Sequence, residues 1–148
     1  MRGKRAHLWA VGSEPWASEP DREEWTSAGG SRCVVRRLDM GCWAGYVAVS
    51  LGHPWHGLTL GEVPAVVHGG CTHSGPLIPV EASSQWWIGF DCCHGGDLVP
   101  RLWELMGRAG LAGFQYRDLD YVRRETNELA AQAEVAARGA TRAHGGDA

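Results

Sequence analysis

Lysine is almost missing from this chain: Lys4 stands alone among 148 residues. The positive charge is therefore nearly all Arg. Its planar guanidinium favours two-pronged contacts with carboxylate or phosphate, although a GC-rich coding sequence yields the same bias without any function. A net excess of cations is lacking too. The net charge is −3 and the pI near 6.1, so nothing draws the whole molecule to DNA, RNA or an anionic membrane. Arg101, Arg108, Arg117, Arg123 and Arg124 still gather late in the chain, where a local basic patch could form. Cysteines at Cys-x-x-Cys spacing are also lacking. Cys33, Cys42, Cys71, Cys92 and Cys93 are odd in number and fit neither a zinc ribbon nor a complete disulfide framework. No apolar run approaches the length of a membrane-spanning helix. The opening "MRGKRAHLWAVGSEPW" is basic, but its apolar stretch is too short and broken for a signal peptide. The expectation is a soluble protein of a reducing cytoplasm, with five free thiols. Gly-x-Gly-x-x-Gly and Gly-x4-Gly-Lys-Ser/Thr are absent, which argues against a Rossmann domain and a P-loop NTPase.

What is present in quantity is tryptophan, eight residues, and glycine, 21 residues. Trp supplies large buried area and stacking faces, and Gly supplies backbone freedom and close approach. The length fits one domain with a real core. Residues 1–30 show no trusted period and read as an extended segment pinned by Trp16 and Trp25, with one possible helical turn in "EPDREEW". "CVVRRL" and "CWAGYVAVS" flank "DMG", a hairpin signal. In the second run Trp43, Gly45, Val47 and Val49 share one face, and Ala44, Tyr46 and Ala48 the other. Residues 64–75 read as a short strand ending at Gly69–Gly70, and 74–84 as loop with a possible edge strand. "QWWIGF" (85–90) reads as the best central strand. A short helix follows over 98–110. A long one covers 116–139, where Leu119, Val122, Thr126, Leu129, Ala133 and Ala136 recur at steps of three and four. Gly139 should stop it and leave a disordered tail over 140–148. The fold class is then α+β, one domain over 31–139: a small antiparallel or mixed sheet with the long C-terminal helix on one face. The helix stripe also permits a homodimer.

Three stretches place His beside Gly at the ends of apolar runs: "GHPWHG" (52–57), "VHGGCTHSG" (67–75) and "GFDCCHGGD" (89–97). Such strand ends are where scaffolds present functional groups. His68 sits at a strand end before Gly69–Gly70, with Thr72 four residues on. This pattern can hold a phosphate oxygen and move a proton, or simply be a turn with a structural His. Asp91, His94 and Asp97 are spaced by three. One carboxylate can orient the imidazole, and Asp91, His94 and Asp97 together can hold a divalent cation. Equally, Asp91 can be a cap and His94 a turn residue. Cys92 and Cys93 point to opposite faces if extended, so at most one faces a site, and small buried thiols are the plainer reading. His53 and His56, around Pro54 and Trp55, form a further polar knot, in which Trp55 can stack on a base or pack under the loop. Tyr116, Arg117, Tyr121 and Arg124 open the long helix and can engage phosphate or form a solvated face.

Together, "EPDREEW", "GYVAVSLGHPWHG", "VHGGCTHSG", "WWIGFDCCHGGDLVP" and "YRDLDYVRRETNELAAQ" resemble, in that order, a group of small bacteriophage and prophage proteins. The resemblance spans about 19–133, and in the group proline usually precedes Gly-His-Pro where this chain has Leu51. It implies that His68, Gly69, Gly70 and Thr72 share a pocket with Asp91, Cys92, His94, Gly96 and Asp97. It also suggests, by context, a counter-defence protein. The expected function is a hydrolase, a phosphodiesterase that degrades a cyclic nucleotide immune signal or another small phosphorylated ligand. His68, His94, Asp91 and Asp97 would be catalytic, and Thr72, Gly69, Gly70, Trp55, Tyr46, His53 and Arg117 would bind ligand. A nucleotide-sequestering protein without turnover, or an inhibitor of a host protein, are the alternatives.

Overall fold

The computed structural model describes residues 14–77, 85–107 and 112–145. The expected frayed start up to residue 13, the part of the possible edge strand over 78–84 and the last three residues of the expected tail lie outside these.

The core is a five-stranded antiparallel sheet. Its strands are β1 (Arg22–Thr26), β2 (Arg32–Arg37), β3 (Trp43–Val49), β4 (His73–Gly75) and β5 (Trp86–Asp91), in the order β1-β2-β3-β5-β4. Two helices follow, α1 (Pro100–Met106) and α2 (Leu119–Gly145). The class is α+β.

The β2–β3 hairpin forms where "DMG" predicts it. Gly41 takes φ +92°, and its N–H closes the turn on the Leu38 carbonyl at 2.8 Å. The alternation within β3 then assigns the two faces. Trp43, Val47 and Val49 join Cys33, Val35, Ile88 and Phe90 under α2, while Ala44 and Tyr46 pack with Val34, Trp87 and Leu77 on the other face. The helix answers with Leu119, Val122, Leu129, Ala130 and Ala133. Each large apolar side chain buried here contributes about 1.5–3 kcal/mol by leaving water. Thr126 lies on the same stripe. Its hydroxyl donates to the Val122 carbonyl at 2.7 Å, so it is buried without an unmet hydrogen bond. Opposite it stands Gly45, where a Cβ would overlap Thr126 Oγ1 and the Phe90 ring. The missing side chain lets the helix sit close on β3.

The N-terminal segment is more ordered than its composition suggests. Trp16 is buried against Trp103 and Tyr116, and Trp25 donates from Nε1 to Asn127 Oδ1 at 2.9 Å. Residues 22–26 pair with β2 and form the sheet's edge, where no strand was expected. The fastening comes largely from Arg37, 1 % exposed, which lies under Trp43. Its guanidinium donates to Asp21 Oδ1 at 3.2 Å, the Gly41 carbonyl at 2.7 Å and Tyr116 Oη at 3.2 Å. A buried cation needs this many acceptors.

Three expectations are corrected. No strand forms over 64–70, which run as loop and turn, and the strand that follows is only β4. The long helix does not stop at Gly139 but runs to Gly145, since Gly139 stays helical and only a left-handed glycine would have closed the helix. The five-thiol reading also fails. Cys42 and Cys93 form a disulfide with Cα atoms 5.9 Å apart, leaving Cys33, Cys71 and Cys92 as thiols. The vicinal pair does diverge, with Cys92 entering the core and Cys93 meeting Cys42. The pairing was invisible in the sequence because it depends on the Cys92 N–H bonding the Trp43 carbonyl at 2.9 Å, which lays 92–93 beside 42–43. Among the described residues, no helix is long and apolar enough to cross a membrane.

Candidate functional site

The site lies between the loop before β4, the turn after β5 and the first turns of α2. Each is held by backbone bonds. The loop is tied to the helix twice: Gln132 exchanges two 2.8 Å bonds with the backbone of Val66, and Glu125 Oε1 accepts from the His68 N–H at 2.9 Å. This seats His68 over the helix. The turn folds on its own carboxylates, because Asp91 Oδ1 accepts the Cys93 N–H and Asp97 Oδ2 accepts the His94 N–H, both at 3.0 Å. The Leu98 N–H then bonds the Gln115 carbonyl at 2.7 Å and the Gln115 N–H bonds Gly96 at 2.9 Å. That short parallel bridge brings Arg117 alongside Asp97.

Asp97 is the hub. Its side chain is 2 % exposed. Oδ2 meets His68 Nε2 at 2.8 Å, and Oδ1 accepts from Arg117 Nε at 2.9 Å. Burial pushes its carboxyl up, but the bonds from His68, Arg117 and the His94 N–H outweigh this and hold it below the ordinary value. His68 is engaged on both nitrogens, since Nδ1 meets Tyr121 Oη at 2.7 Å. Burial, and then the Glu125 charge, raise the Tyr121 phenol, so it stays neutral at physiological pH. His94 differs. Its ring stands edge-on to His68 with centroids 5.8 Å apart. Its Nδ1 is 3.5 Å from Asp91 Oδ1 and 3.8 Å from Asp97 Oδ2, is shielded from solvent, and has no hydrogen-bond partner among the described residues. Gly69 makes room for this ring. It has φ +68°, and a Cβ there would run into the imidazole.

The structure therefore brings together His68, His94, Asp97, Asp91, Arg117 and Gly69. It adds Glu125, which the sequence reading did not single out, and it sets Tyr121, read there as able to engage phosphate or form a solvated face, against His68. The only signal of this placement was the spacing of 121, 125 and 132 along one helix face. For a cation, the three groups with donor atoms within 4.8 Å of one another are His68, His94 and Asp97. The expected set had Asp91 in place of His68, but Asp91 Oδ1 serves the Cys93 N–H instead.

Other expected residues lie elsewhere. Trp55 is 4 % exposed in the core and offers no stacking face. Tyr46 is buried on the opposite face of the sheet, beneath the Arg36 guanidinium. His53 docks its loop on the helix, with Nε2 at 2.7 Å from the Ala133 carbonyl and Nδ1 accepting from the Trp55 N–H. Thr72 is exposed, and its N–H bonds the Gly89 carbonyl. Gly70, at φ +83°, only shapes the turn. The thiols are held toward the protonated form: burial, and then the Asp97 and Asp91 charges, push Cys92 far up, and burial lifts Cys33 to about 11 and raises Cys71.

No family model, curated protein or solved structure matches this chain. Its chemistry rests on the site itself.

Proposed function

We propose that the protein is a small hydrolase that cleaves a phosphodiester bond in a nucleotide signal, as a phage-type counter-defence protein in the bacterial cytosol. The observation that carries this reading is the solvent-shielded Nδ1 of His94, without a partner among the described residues and set between two carboxylates, one of which holds Arg117. Unmet polar atoms of this kind are rare in interiors and point to a group that a ligand completes. The division of roles follows exposure. Asp97 and His68 are inner and fixed by their partners. His94 and Asp91, with side chains 31 % and 26 % exposed, are the groups that water can reach. They take the proton of the attacking water and return it to the leaving oxygen, so the products are a phosphomonoester and an alcohol. Arg117 spends its Nε on Asp97, and its terminal nitrogens carry no hydrogen bond among the described residues. They suit the non-bridging phosphate oxygens. The burial of Trp55 and Tyr46 removes the expected base-stacking platform, so recognition falls on the phosphate.

The test is incubation with a panel of cyclic di- and trinucleotides, beside His94→Ala and Asp91→Asn, with products separated before and after heat denaturation. Linear products from the wild type alone support the reading. Ligand that disappears and returns intact on heating means sequestration without turnover. No change in any nucleotide overturns both and leaves a host protein as target.

A further inference from the structure

We propose that His68, His94 and Asp97 form a binding site for one divalent transition-metal ion of the zinc type. This deepens the reading of the cluster given above, with His94 now a ligand and proton transfer left to Asp91, but it is read by metal binding alone, so the site and the reaction can fail separately.

The donor set comes first. Two imidazoles and one carboxylate select zinc-like ions over magnesium or calcium, which favour oxygen ligands. Three protein ligands leave the fourth position open, as at catalytic rather than structural zinc sites. Spacing comes second. Tetrahedral ligands at about 2.1 Å from an ion lie about 3.4 Å from one another. Here His68 Nε2 is 2.8 Å and His94 Nδ1 3.8 Å from Asp97 Oδ2. Donor atoms of all three lie within 4.8 Å. Shifts of about 1 Å would bring the set to ligand spacing.

Supporting groups come third. Ligating histidines generally fix their second nitrogen by a hydrogen bond, and Tyr121 Oη already does this for His68 Nδ1. An ion on Nε2 requires the proton on Nδ1, which then donates to Tyr121. Asp97 keeps Arg117 on its other oxygen. Charge comes last. Asp91, Asp97 and Glu125 against Arg117 leave the cluster with two negative charges while the histidines are neutral. A divalent cation balances them. It also occupies His94 Nδ1, which is shielded from solvent and has no hydrogen-bond partner among the described residues. Asp91 then remains to take the proton from water.

The experiment uses the full chain, stripped with chelator and kept without thiol reductant. Co2+ is titrated and followed by its visible absorption, and Zn2+ by calorimetry. One ion per chain is expected, with tetrahedral Co2+ bands. His94→Ala and His68→Ala should weaken binding at least about 100-fold, and Tyr121→Phe about 10- to 100-fold. His56→Ala, whose ring lies against Trp86, should bind as the wild type does. Should a ligand variant fail to fold, ring nitrogen resonances of the wild type decide, because two histidines should shift on adding Zn2+. The proposal is overturned by absence of Co2+ bands and Zn2+ heat in the wild type, by thiolate-type bands, or by unchanged binding in folded His94→Ala and His68→Ala.

Discussion

Replacing Gly69 and, separately, Gly70 by alanine separates backbone strain from the geometry of the site. Both glycines hold left-handed backbone, at φ +68° and +83°. An alanine in that region costs about 1–2 kcal/mol, so the two variants should lose similar stability in urea. They differ in what the new methyl meets. At Gly70 nothing lies within 4 Å, whereas at Gly69 the position is already filled by the His94 imidazole. The ring cannot share that space and must move by an ångström or more. A displacement of that size at reacting groups can cost about 100-fold. Gly69→Ala should thus shift the His94 ring resonances and lower metal affinity or turnover by one to two orders of magnitude, while Gly70→Ala leaves both near wild type. The assay pairs urea denaturation with histidine NMR. Equal loss of metal affinity or turnover in the two variants, or undisturbed His94 resonances in Gly69→Ala, would refute the reasoning, since the His94 contact is what separates the two positions.

The disulfide predicts three free thiols per chain in denatured, unreduced protein. Joining residues 51 apart stabilises by about 4 kcal/mol in the chain-entropy view, so reductant should lower the urea midpoint, and five titratable thiols would exclude the bond. Gly45→Ala drives a methyl into Thr126 and Phe90 and should cost about 1–3 kcal/mol by overpacking, read as a lower midpoint with an unchanged denaturant slope. Acid should act through Asp97. Its carboxyl lies below the ordinary value when folded, so its stabilisation is present above the unfolded-state pKa and fades as pH falls through the folded one. The stability of Asp97→Asn should therefore change less steeply with pH over that acid range, and an unchanged slope would contradict the assignment.

Much of the fold was legible because period and turn chemistry are local. The β2–β3 hairpin follows from two β-branched runs around Asp39 and Gly41. The helix stripe at Leu119, Val122, Thr126, Leu129 and Ala133 follows from spacing alone. β1 was not legible, because "REEWT" is mostly polar and becomes a strand only by pairing with β2 while Arg37 and Trp16 hold the preceding turn. The end of α2 was misread for a related reason. Glycine permits a left-handed stop without requiring one.

The candidate site divides the same way. The sequence by itself marked His68, Asp91, His94 and Asp97, since His and Asp clustered with Gly stand out in any order. Which of them meet was a tertiary matter. Asp97 lies 29 residues from His68 and 20 from Arg117, and those separations carry no periodic signal. Glu125 looked like an ordinary polar position of a helix, and Tyr121 like a phosphate contact or part of a solvated face, until the 66–68 loop was laid across them. Trp55 and Tyr46 looked available for stacking until burial closed them off. Local pattern determined the elements and the reactive residue types. Burial and long-range hydrogen bonds decided which groups share a site, because only the folded backbone sets distances between residues far apart in the chain.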